Sequence, residues 1–121
     1  MKLLRCKSCG ARVIVDKDCN CKCGIVCCDE EMNVVKSNSV DAAIEKHVPV
    51  YEIVENKIKV IVNHVMEEEH YIEWIALESE NTLIKKDFKP GDKLEVEFDY
   101  IPGSVLYSYC NKHSLWKKDV E

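Results

Sequence analysis

The residues best suited to chemistry are the cysteines and histidines, and their spacing sorts them into two groups. Toward the C-terminal end, Cys110-Asn111-Lys112-His113 puts a thiol and an imidazole in one C-x-x-H turn, a chelating spacing. The other histidines, His47, His64 and His70, each fall beside an expected strand end or turn, and His64 and His70 can meet across the connection between them. Several neutral imidazoles with one thiolate suit iron, copper or zinc better than magnesium or calcium. A ferrous ion with one thiolate leaves such a site with a net positive charge, attractive to a small anion. If the four histidines and Cys110 all bind, five positions are filled and one is open, and an open position on a redox metal implies chemistry. Glu67-Glu68-Glu69 supplies too few oxygens for calcium and reads as a solvated turn.

Seven of the eight cysteines lie between Cys6 and Cys28. In a reducing cytoplasm such a cluster more often binds metal than forms disulfides. Cys6-Lys7-Ser8-Cys9-Gly10 has the C-x-x-C-G form, in which two thiolates chelate from one tight turn and the glycine lets the backbone close under the sulfurs. Two pairs compete for the other half of the site. Cys21-Lys22-Cys23-Gly24 could close a zinc-ribbon-like knuckle, whereas Cys27-Cys28 has no spacer, and successive side chains in extended backbone point to opposite faces. Spacing alone therefore favours the knuckle.

The elements that must position these donors follow from the rest of the chain. Its 121 residues are 46% hydrophobic and 32% charged, which fits a globular protein of one domain plus a small appendage. The apolar runs are too short to span a bilayer and Met1 to Arg5 begins no signal peptide, so a cytoplasmic protein with no membrane partner is expected. Residues 1 to 36 carry 7 basic and 5 acidic side chains against 10 and 17 in residues 37 to 121, so the larger part is strongly acidic. An acidic chain without a basic stripe is a poor nucleic-acid binder. Residues 1 to 36 offer only Met1 to Leu4 and Ala11 to Val15 as strands, too little for a core, so folding there should depend on metal. Beyond them the pattern is strands. Residues 93 to 99 alternate strictly, and 51 to 55, 57 to 63, 71 to 78, 82 to 86 and 104 to 109 read as further strands, with Asp41 to Lys46 the one helical stretch. The fold class is all-β, with an antiparallel β-sandwich in residues 37 to 121 and a core that includes Ile72, Trp74, Leu94, Val96 and Phe98.

Three segments resemble those of the desulfoferrodoxin-type superoxide reductases: Glu45-Lys46-His47-Val48-Pro49; Asn63-His64 with Met66 and Glu69-His70-Tyr71-Ile72; and Cys110-Asn111 with His113 and Leu115-Trp116. The resemblance implies an immunoglobulin-like sandwich holding a non-haem iron, with His47, His64, His70 and His113 equatorial and Cys110 axial. It implies one-electron reduction of superoxide to hydrogen peroxide, Lys46 attracting the anion and organising a proton-donating water, and Glu45 taking the sixth position after oxidation. Residues 1 to 36 are similar to the family's desulforedoxin-like, rubredoxin-type domain, a likeness that selects Cys6, Cys9, Cys27 and Cys28 for a second iron, or for zinc in a recombinant sample. Cys19, Cys21 and Cys23 are extra to that pattern, Glu31 and Val65 stand where the family usually has proline, and Ser114 where it usually has glycine. Rubredoxin or a similar small electron donor and a homodimer are implied in the same way. The competing reading is a non-catalytic zinc ribbon joined to a β-sandwich binding module.

Overall fold

Period-two alternation dominates the chain, and the computed structural model is almost entirely antiparallel strand. It describes residues 1–18 and 24–121, so Cys19, Cys21 and Cys23, and with them the Cys21/Cys23 knuckle, lie outside the described residues. Backbone contacts divide the chain into two units, Met1–Lys36 and Ser37–Glu121.

The first unit contains β1 (Lys2–Arg5), β2 (Arg12–Val15), β3 (Val26–Cys27), β4 (Glu30–Glu31) and β5 (Asn33–Val34). A sheet in the order β2-β1-β5 stands beside the short β3-β4 hairpin. The cluster beneath them is Leu4, Cys6 and Met32, with Val15 and Cys27 packed against it. Among the described residues so small a cluster does not by itself offset the ordering entropy of the unit, which is smaller than the roughly 40 residues below which domains usually need a metal or disulfides.

The second unit opens with α1 (Ile44–His47), one turn long because Val48 precedes Pro49 and takes the extended conformation that a pre-proline residue favours (φ −73°, ψ 130°). The helix is shorter than the expected Asp41 to Lys46 and begins later. Then come β6 (Val50–Val54), β7 (Lys57–Ile61), β8 (Ile72–Glu78), β9 (Leu83–Asp87), β10 (Glu95–Asp99), β11 (Val105–Cys110) and β12 (Ser114–Asp119). They form a three-stranded sheet, β10-β7-β6, and a four-stranded sheet, β12-β11-β8-β9. The chain crosses between the sheets after β7, β9 and β10, the connectivity of an immunoglobulin-like sandwich. Ile58, Val60, Val96 and Phe98 from one sheet meet Ile72, Ile75, Leu77 and Leu106 from the other.

Two further features of the second unit differ from the sequence expectations. Strand β12 lacks an alternating signature, because after Leu115 and Trp116 the segment turns to exposed Lys117, Lys118 and Asp119. That composition suits an edge strand, where charges discourage pairing with another chain. Trp74 is buried as expected but lies outside the inner cluster, stacked on its cross-strand neighbour Tyr109 at 5.6 Å. The cause is a bulge. Tyr109 pairs with Trp74 but Cys110 pairs with Ile72, so Glu73 is the extra residue and the alternation of β8 reverses there.

Candidate metal centres

The bulge lies at the end of the four-stranded sheet where the first set of donors converges. His47 closes α1; His64 and His70 sit on the connection from β7 to β8; Cys110 ends β11; and His113 lies in the turn to β12. One donor atom from each comes within 4.8 Å of every other. The rings of His47, His64, His70 and His113 follow one another around a square. Neighbouring centroids are 4.7, 4.5, 5.0 and 4.9 Å apart, while His47 and His70 face each other across the diagonal at 6.5 Å. Cys110 Sγ is 3.4 Å from His64 Nε2 and 3.8 Å from His113 Nδ1.

Local contacts choose the nitrogens. His47 Nδ1 donates to the Ala43 carbonyl at 2.7 Å, which leaves its Nε2 lone pair 3.0 Å from His113 Nδ1. His64 Nδ1 donates to the Val65 carbonyl at 2.5 Å and turns its Nε2 to the sulfur. His70 Nε2 is buried without a partner. Burial pushes the imidazoles of His47, His64 and His70 below their ordinary 6.5, and charge repulsion from neighbouring imidazoles acts in the same direction, so they are neutral donors at pH 7. Burial likewise pushes the Cys110 thiol above 9.0, against the pull of the Lys112 and His113 backbone N–H groups. A thiolate there needs a cation beside it.

A metal ion fits this set. Two nitrogens bound side by side at about 2.1 Å stand about 3 Å apart, which is the His47–His113 separation. An ion also supplies the partner that the buried His70 nitrogen lacks. A square of imidazoles with a thiolate outside it is a five-donor set with one face left for a small ligand.

Lys46 and Glu45 are exposed on the same turn as His47. Lys46 lines a cleft of about 510 Å³ together with Asn63, His64, Val65 and Met66. Glu45 is not among the lining residues, yet its charge reaches His47.

The second set of donors is Cys6, Cys9, Cys27 and Cys28, again within 4.8 Å of one another. Cys6 and Cys9 share the turn after β1, closed by the Gly10 N–H to the Cys6 carbonyl at 2.9 Å with Gly10 at φ +80°. Cys27 and Cys28 can both face them because the backbone between them is not extended. The β3-β4 hairpin pairs Cys27 with Glu30, leaving a two-residue loop in which Cys28 and Asp29 have φ 52° and 61°, the signature of a type I′ turn. The Cys9–Cys27 and Cys27–Cys28 sulfur separations are 3.7 and 4.0 Å. Tetrahedral ligation at about 2.3 Å puts sulfurs about 3.8 Å apart. The Cys9 backbone N–H holds the Cys6 thiol down to about 7 against its burial, whereas hydrogen bonding with Cys6 and Cys9 pushes Cys27 up to about 12. One thiolate forms readily and the next does not, so four together call for a cation. This set has no open position.

Three residues beyond the donors hold the first set in place, and of these Asn111 and Trp116 belong to the segments that carry the family resemblance whereas Ser108 does not. Ser108, fully buried on β11, donates its hydroxyl to the His47 carbonyl at 2.6 Å. Trp116 stacks on His47 at 4.8 Å, and its indole N–H donates to the His113 carbonyl at 2.9 Å. Asn111 bonds the residues on both sides of His70. Ser108 occupies an ordinary strand position, and a single sequence shows no reason to separate it from any other core serine.

Residues 39–119 match the family model described as Desulfoferrodoxin. A desulfoferrodoxin of Nitratidesulfovibrio vulgaris is 46% identical over 99 residues, covering 78% of this chain and 79% of its own. A desulfoferrodoxin homolog of Archaeoglobus fulgidus is 38% identical over 121 residues, covering 97% and 95%. Among solved structures, the superoxide reductase from Treponema pallidum superposes with a TM-score of 0.69 at 30% identity, covering 90% of this chain and 93% of that one. Among the described residues no helix is long and apolar enough to cross a membrane.

Proposed function

Because the chain belongs to the desulfoferrodoxin family, we propose that it is a superoxide reductase, joining superoxide with one electron and two protons to give hydrogen peroxide without releasing oxygen. The observation that carries the reading is the square of four imidazoles with one buried thiol beside it, a set that takes iron and leaves one face open. The Treponema pallidum superoxide reductase, which shares the fold, supports it. The iron is held by His47, His64, His70, His113 and Cys110, and when bound in its ferrous state it supplies the electron.

The protein's own residues do the rest. Neutral imidazoles add no charge and the Cys110 thiolate cancels one unit of the ion's two, so the open face keeps a positive charge that draws in an anion. Lys46 adds to that field from the cleft it shares with His64, and its ammonium orders the water from which the protons come. Glu45 supplies the carboxylate that covers the open face after oxidation. The Cys6, Cys9, Cys27 and Cys28 site holds a second iron, replaceable by zinc, and passes electrons or stabilises residues 1–36. We assign residues 37–121 as the catalytic domain of a cytoplasmic homodimer fed by a small redox protein of the rubredoxin kind.

Lys46→Ala should slow the second-order capture of superoxide about five- to tenfold at low salt, because one charge close to the target face is weakly screened within a Debye length of about 10 Å. Raising the ionic strength should narrow the gap between the two proteins. Glu45→Ala should leave this step nearly unchanged. Pulse radiolysis measures these rates, and equal values for the original and Lys46→Ala proteins at low salt would remove Lys46 from the mechanism.

A further inference from the structure

The four imidazoles are not held alike. His47 and His64 are oriented by their own rings, each Nδ1–H donating to a nearby carbonyl. The His113 backbone is held by the Trp116 indole. Among the described residues His70 has no ring hydrogen bond, and its buried Nε2 is unpartnered. Its backbone pairs with Glu67 in both directions, at 3.0 and 3.2 Å, which closes the turn but does not fix the turn against the sheet.

Asn111 makes that connection with three of its polar groups. Its Oδ1 accepts from the Tyr71 N–H at 2.9 Å, its Nδ2 donates to the Glu69 carbonyl at 3.0 Å, and its own N–H donates to the Tyr71 carbonyl at 3.2 Å. One residue therefore grips both neighbours of His70 while bonded directly to Cys110. Regular pairing between β8 and β11 is broken by the bulge at Glu73 and ends with Cys110 opposite Ile72, and the other tie to β8 is made before the turn, where Met66 Sδ accepts from the Ile72 N–H at 3.4 Å.

We propose that Asn111 is a positioning residue for the iron site, fixing the distance and angle between the His70 imidazole and the Cys110 sulfur through the backbone on either side of His70. The inference rests on the reading of His70 and Cys110 as iron donors. Asn111 itself is exposed and touches neither donor's ligating atom, so it acts through geometry alone.

The test uses the full-length protein, with ferrous iron titrated against a colorimetric chelator under anaerobic conditions and the visible spectrum recorded after oxidation. The four-cysteine site serves as an internal control in each sample. Asn111→Ala removes both side-chain bonds and should weaken iron binding at the histidine site about 10- to 100-fold, the usual cost of losing a residue that orients a ligand. It should also shift that site's thiolate band while far-UV circular dichroism and the four-cysteine site stay unchanged. Asn111→Asp keeps the acceptor for Tyr71 and loses the donor to Glu69, so it should fall between. A role in stability alone would lower the melting temperature and leave both affinity and spectrum in place. His70→Ala is the reference. If it loses iron while Asn111→Ala binds within twofold of the original with a superimposable spectrum, the proposal fails by itself. If His70→Ala also binds as the original does, the donor reading fails and takes the proposal with it.

Discussion

Cys110→Ser should abolish superoxide reduction and leave the sandwich folded. Cys110 is fully buried in the inner cluster with Leu106 and Ile72, and serine fits the same space with the backbone N–H groups of Lys112 and His113 still facing its oxygen. A buried hydroxyl does not ionise at neutral pH, so the site loses its one anionic donor and the balance of charge around the ion changes by a full unit. Replacing a residue that merely orients a ligand costs 10- to 100-fold in affinity or activity, and losing the ligand itself should cost at least the upper end of that range. Three readouts should move together: loss of the visible thiolate absorption of this site, loss of its iron against a competing chelator, and loss of superoxide consumption. A Cys110→Ser protein that kept its absorption and its rate would show that the sulfur is no donor.

The second large effect separates the two units. Cys27→Ser should release the metal from the four-cysteine site and unfold residues 1–36, because Leu4, Cys6 and Met32 cannot hold them and a structural metal in small thiolate domains contributes about 10 to 16 kcal/mol. The expected observations are loss of one metal per chain, proteolysis confined to the first unit, and superoxide reduction by residues 37–121 retained when a chemical reductant supplies the electrons. Loss of activity under those conditions would mean that the two centres are not independent.

How far the sequence discloses these sites depends on whether a property is local. The alternation of residues 93 to 99 directly marks β10, with Val96 and Phe98 inward, because period two is a property of the backbone. The C-x-x-C-G and C-x-x-H turns are local as well. Extended backbone would point Cys27 and Cys28 apart, but Cys28 and Asp29 take positive φ, a conformation that a cysteine does not announce. The same holds for Ser114, whose φ of 66° is a conformation that glycine adopts more readily than serine. The bulge at Glu73 depends on pairing between strands some 35 residues apart, so the outward turn of Trp74 could not be read from the local pattern. Ser108 and Asn111 act on His47 and His70 at sequence separations of 61 residues and about 40, and only the fold brings them together. The grouping of the four histidines with Cys110 was likewise non-local, and family resemblance carried it.

Product stoichiometry distinguishes reduction of superoxide from its dismutation. Iron-loaded protein, kept reduced by an excess chemical donor, is mixed anaerobically with a known amount of superoxide, and peroxide and oxygen are both counted. Reduction yields one peroxide for each superoxide consumed, one electron drawn from the donor, and no oxygen. One peroxide for every two superoxides, with an equal amount of oxygen and no electrons taken from the donor, would contradict the account.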